Sequence, residues 1–235
     1  MRKILLTHIL NEIYFLKITQ TIRKGVIMVY YFNKGGFLMW PLLFLFIIGL
    51  IIAIVKLWLL FRARINSKKF LQTILAKVKS GGVNDAIKVC EKTRGPVSAL
   101  FHAGLSRVDK GLEYVTSSIE NEAAIQIGIL EKGMTWLSTI IAIAPMLGLL
   151  GTVQGMIIAF DQIAKSNDIV PSEVAGGISV ALLTTFFGLA IAIPMQFFYN
   201  WFIAIIDGMI VDMEDAANQL VENLIDMGVL KRAEG

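Results

Sequence analysis

The chain is 235 residues long, 56% apolar and 17% charged, with a formal net charge of +4, and its mean hydropathy of +0.69 lies well above that of a soluble globular domain. A single cysteine, Cys90, rules out an internal disulfide, and the two histidines, His8 and His102, stand too far apart for a zinc site of usual spacing, so neither metal nor cofactor is expected. No phosphate-binding glycine loop is present, and a basic excess beside apolar segments serves membrane orientation without implying nucleic acid.

The first 36 residues carry Arg2, Lys3, Lys17, Arg23, Lys24 and Lys34. Within residues 1–27, Ile4, Leu5, Ile9, Ile13 and Leu16 repeat at helical spacing among the cations, which suits an amphipathic interfacial leader. The other reading is a mis-assigned start, with translation beginning at Met28. A cleaved signal peptide is disfavoured, because an uninterrupted apolar core and a small-residue cleavage site are missing.

None of the 22 Lys and Arg or 18 Asp and Glu falls in Phe37–Val55, Gly133–Phe160 or Val174–Ile206. A bilayer core needs about 20 apolar residues of helix. Three transmembrane helices are therefore expected, over 37–61, 133–160 and 174–206. Lys56 is followed by Leu57-Trp58-Leu59-Leu60-Phe61, so its ammonium is expected to snorkel to the inner interface, with Trp58, Trp136 and Trp201 as interfacial anchors.

Arg62, Arg64, Lys68 and Lys69 mark 62–132 as cytoplasmic, and the acidic 161–173 loop falls on the opposite, periplasmic side. The N-terminus is then periplasmic and the tail helix 207–235 cytoplasmic. Within 62–132, breaks are expected at Gly81-Gly82, Gly95-Pro96 and Lys110-Gly111. Phe70, Leu71, Ile74 and Val78 share one helical face, as do Ala86, Ile87 and Cys90. From Leu112 to Pro145 no strong breaker occurs, so one helix is expected to run uninterrupted into the bilayer.

Small residues form a stripe on each of the last two spans: Gly148, Thr152, Gly155 and Ala159 on one, and Gly177, Ala181, Thr185, Gly188 and Ala192 on the other. Such stripes mark close helix packing or a pore face. Each threonine can bond a carbonyl one turn back, or order a water chain for protons. Pro145 and Pro194 are expected to kink their helices. The spans hold no Asp, Glu or His. If protons cross, a partner must bring the carboxylate.

The runs Ala144-Pro145-Met146-Leu147-Gly148-Leu149-Leu150-Gly151-Thr152-Val153 and Gly177-Ile178-Ser179-Val180-Ala181-Leu182-Leu183-Thr184-Thr185, followed by Gly188-Leu189 and Ala192-Ile193-Pro194, resemble the ExbB/TolQ/MotA family of proton-channel subunits, most closely its ExbB/TolQ branch. The resemblance extends over about residues 28–225. It implies an all-α integral membrane protein with three transmembrane helices whose long helices extend into a cytoplasmic helical domain. It also implies a homo-oligomeric ring, typically pentameric, in a bacterial inner membrane.

In such a ring the second and third helices line a pore occupied by ExbD/TolR-like single-span helices, whose aspartate carries the proton. Thr152 and Thr185 match the family's pore threonines, with Gly148, Gly155, Ala181 and Gly188 beside them. A TonB- or TolA-like protein takes the force onward. Many relatives have glutamate where this chain has Val180. The resemblance implies no enzyme activity and leaves an ExbB role, driving TonB-dependent transport, beside a TolQ-like envelope role. The four-span MotA branch fits less well. A non-conducting scaffold remains the reading from another class, and a solute transporter is weak without repeats or broken helices.

Overall fold

The computed structural model describes residues 28–63, 66–165 and 171–230. The leader over 1–27 and the middle of the 161–173 loop lie outside them. Among the described residues every regular element is helical. Helix α1 covers residues 28–34 and ends at a Gly35-Gly36 turn, with Gly36 at φ +77°. There follow α2 (Met39–Ala63), α3 (Ser67–Gly81), α4 (Val83–Lys92), α5 (Pro96–Leu105), a 3-10 turn (Val108–Lys110), α6 (Leu112–Glu131), α7 (Met134–Lys165) and α8 (Pro171–Asp226). Three helices, α2, α7 and α8, are long and apolar enough to cross a membrane, which makes this a multi-pass membrane protein.

The three breaks between the short helices fall at glycines in the left-handed region: Gly82 at φ +84°, Gly95 at +134° and Gly111 at +100°. Such angles cost little without a Cβ. Pro96, whose missing amide hydrogen is not needed at a first helical turn, starts α5. Asn66 caps α3 by accepting from the Lys69 amide at 3.1 Å.

The described chain divides into two compact units. One joins residues up to Ile48 with Thr139–Pro194, and the other joins Gly49–Ser138 with Met195 onward. In the second, Leu71, Ile74 and Val78 of α3 and Ala86 and Cys90 of α4 are buried, so each short helix turns its apolar stripe inward. Phe70 stacks on the fully buried Phe101 at 5.6 Å between ring centres. Ser98, also buried, satisfies its hydroxyl on the Cys90 carbonyl at 2.7 Å and the Thr93 carbonyl at 2.9 Å. Burial pushes the Cys90 thiol up to about 12, with the neighbouring Glu91 charge a smaller contribution.

Two expectations require correction. The helix from Leu112 is not continuous: α6 ends at Glu131, Lys132 leaves the helical region at ψ 124°, and Gly133 stands at φ +90° before α7 begins. A glycine in a helical pattern signals only a small propensity cost, and here it supplies a turn. Lys56 does not snorkel into solvent. It is 3% exposed, and its ammonium donates to the Leu130 carbonyl, which the α6–α7 break deprives of a continuing helical amide. One irregularity thus accounts for both departures. At the other end of the chain the third apolar run continues into the tail as a single helix, α8, of 56 residues.

Candidate functional site

The site lies in the first unit, where α7 and α8 meet with almost no side chain between them. A Cβ placed on Gly155 would come within 2.6 Å of the Gly177 carbonyl oxygen and 2.7 Å of the Ala181 amide nitrogen. One on Gly177 would stand 2.6 Å from the Gly155 carbonyl oxygen, and one on Gly188 the same distance from that of Ala144. At Gly148 the neighbours are the Thr184 carbonyl oxygen at 3.0 Å and the Thr185 Cα at 3.1 Å. The backbones of the two helices therefore touch along the seam, as small residues permit in membrane helices.

Gly148, Gly155, Ala181 and Gly188 are buried in this seam. Sequence spacing placed one threonine of each span in the stripe, but the buried hydroxyl belongs to Thr184. That residue is fully buried, its side chain packs directly on Gly151, and its Oγ1 bonds back to the carbonyls of Val180 and Ala181 at 3.1 and 2.9 Å. The residue after each seam member is turned by about 100°. Thr152, after Gly151, and Thr185, after Thr184, are therefore half-buried at the edge.

The two edge threonines behave differently. Thr152 donates to the Leu149 carbonyl of its own helix at 2.6 Å. Thr185 crosses the seam and donates to the Gly148 carbonyl at 3.2 Å. Both hydroxyls keep lone pairs for a donor from elsewhere, and neither can hold a charge in the physiological range. Pro145 lies inside α7 and Pro194 inside α8, where they deny an amide to the carbonyls of Ile141 and Ala190. Val180 is half-buried on α8, and a side chain on Gly36 would meet it at 3.8 Å. Among the described residues no group of His, Cys, Asp and Glu could hold a metal ion.

Gln154 was missed by the stripe reading. It is exposed on α7 between residues of the seam, a polar amide in an apolar run. Three of its neighbours at helical spacing, Leu150, Ile157 and Ile158, are large, which hid it, whereas a search for any uncharged polar side chain within the spans would have found it.

The pattern of the MotA/TolQ/ExbB proton channel family matches residues 92–215, which include α7 and the first part of the seam-bearing α8. The chain is 30% identical over 184 residues to a putative biopolymer transport protein ExbB homolog of Methanothermobacter thermautotrophicus, covering 78% of this chain and 65% of that one. It is 32% identical over 188 residues to the biopolymer transport protein ExbB of Pseudomonas putida, covering 74% and 57%. A putative ExbB-like protein of Synechocystis is 32% identical over 169 residues, covering 69% and 65%. The chain thus spans less than two thirds of the length of these three relatives. With its matched seam and its three spanning helices, the chain belongs to the MotA/TolQ/ExbB proton channel family.

Proposed function

We propose that this chain is the ring subunit of a proton-motive-force-driven motor in the bacterial inner membrane, ExbB-like, acting with an ExbD-like single-span partner to energise TonB-dependent transport. The observation that carries the reading is the pair of half-buried hydroxyls, Thr152 and Thr185, at the edge of a family-matched seam whose spans contain no acid. Hydroxyls can relay a proton but cannot store one, so the titrating carboxylate comes from the partner. In this reading five copies form the ring, and Thr152 and Thr185, with Gly148, Gly155, Ala181 and Gly188 behind them, face the central helices. Residues 62–132 and 207–235 lie in the cytoplasm and the N-terminus in the periplasm. Val180 leaves the proton to the partner's aspartate alone.

The test co-expresses the chain with a single-span, aspartate-bearing partner and measures proton-driven work for Thr152→Val/Thr185→Val. Assembly with the partner retained and work abolished is the expected result. Full activity of the double variant overturns the pore assignment. Failure of any such partner to co-purify favours a non-conducting scaffold, and dependence on a peptidoglycan-associated protein in place of a TonB-like one favours the TolQ-like role.

A further inference from the structure

In the second unit the last turns of α2 border a groove of about 810 Å³, closed on its other sides by the α4–α5 turn, α5 and α6. Its charged lining is mixed. Arg62 and Arg94 contribute guanidinium groups, and Glu91 and Glu122 contribute carboxylates. The Arg62 guanidinium lies over the Trp58 ring at 5.0 Å, a contact through the ring face that leaves its edge donors free. Arg94 is exposed and makes no hydrogen bond or ion pair among the described residues. Glu91 is 3.7 Å from His102, a long contact, and stays largely open.

The rim is apolar where it meets the spanning helix: Trp58 is 63% exposed and Ile129 47%. A groove with hydrocarbon on one edge and both signs of charge within, at the end of a membrane-crossing helix, has the composition that suits headgroup depth. We propose that it binds one phospholipid of the adjoining leaflet through a phosphoethanolamine headgroup, the phosphate on Arg62 and Arg94, the primary ammonium on Glu91 and Glu122, and the acyl chains against Trp58 and Ile129.

The charge balance selects the headgroup. A phosphatidylglycerol would satisfy the guanidinium groups and leave two carboxylates facing an anion. A phosphatidylcholine brings a cation but no N–H, so it cannot donate to them. Only a primary ammonium beside a phosphate makes charge-assisted hydrogen bonds to both sets. Lys56, buried on the carbonyl of the groove-lining Leu130, fixes α2 against the C-terminal end of α6, so the two walls are held before a lipid arrives.

The test purifies the full chain in detergent, offers dioleoyl phosphatidylethanolamine, phosphatidylcholine, phosphatidylglycerol or inorganic phosphate, and reads retained ligand by native mass spectrometry. Phosphatidylethanolamine is expected to be retained at least roughly tenfold over the other lipids, the scale of one charge-assisted hydrogen bond. Arg94→Ala is expected to lose that retention, and Glu91→Gln to remove the preference over phosphatidylcholine, both with unchanged oligomer mass. Equal retention of all three lipids, which is annular lipid only, overturns the proposal, as does phosphate binding as well as the lipid. A changed oligomer mass in Arg94→Ala with lipid retention intact also overturns it, assigning the groove to a second copy.

Discussion

The Thr185 hydroxyl donates to the Gly148 carbonyl at 3.2 Å, joining α8 to α7 across 37 positions of sequence. It is possible only because Gly148 lacks a side chain and lets the Thr185 Cα approach to within contact distance of where one would be. Removing the hydroxyl in Thr185→Val is expected to cost about 0.6 kcal/mol, up to about 1.7, the range for interhelical hydrogen bonds in membranes. Thr185→Ser should keep most of it. Unfolding midpoints in a mild detergent measure the difference, and equal midpoints for Val and wild type would remove the bond from the stability account.

The seam makes glycine substitutions asymmetric. Gly155→Ala brings a methyl to 2.6 Å from the Gly177 carbonyl oxygen, so the helices must part, at about 1–3 kcal/mol for overpacking. Gly208→Ala, in the same helix as Gly177 but facing open space, is expected to stabilise by about 0.5–1 kcal/mol through helix propensity. Thermal unfolding of the two variants side by side checks the opposite signs.

Lys56→Ala leaves the Leu130 carbonyl buried without its donor, and a loss of about 1–3 kcal/mol is expected. Lys56→Arg, which still donates, should lose less. Limited proteolysis gives a local readout: cleavage near Lys132 should quicken in the Ala variant if the ammonium holds the α6–α7 break in place.

Cys90 supplies a pH dependence. Its thiol is raised from 9.0 to about 12 in the folded chain, so the folded state holds this proton more tightly than the unfolded one. The stabilisation is complete below pH 9 and is lost as the pH climbs toward about 12. At pH 8 the buried thiol should resist iodoacetamide until the protein is unfolded. Rapid alkylation of the native protein would contradict the burial. In Cys90→Ala the slope of stability between pH 9 and 11 should flatten, whatever the variant's absolute midpoint.

The sequence carries most of the helical plan because its punctuation is local. Gly82, Gly95 and Gly111 break the chain where a positive φ is needed, and Pro96 marks a start that needs no amide. The spans are legible because charge cannot enter hydrocarbon cheaply. What escapes is whatever depends on partners distant in sequence. Glycines at 148, 151 and 155 satisfy the stripe in more than one register, and only contact with α8 shows that Gly151 and Thr184 occupy the centre while Thr152 and Thr185 stand at its edge. Gly133 reads as a mild helix penalty until its turn leaves the buried Leu130 carbonyl without a helical amide, and Lys56 reads as a free cation until that carbonyl is in view.

The contact between α7 and α8 also limits how this part of the molecule can move. Bare backbone at Gly148, Gly155, Gly177 and Gly188 leaves no flexible side chain to deform, and the Thr184 side chain wedged on Gly151 acts as a detent against sliding. An axial slip of one residue, about 1.5 Å, would drive methyls of Ala181 and Ala159 into positions that hold only a hydrogen now. Shear inside the pair is thereby blocked, and over the stretch from Gly148 to Gly188 the two helices can shift only together, as a single stiff strut.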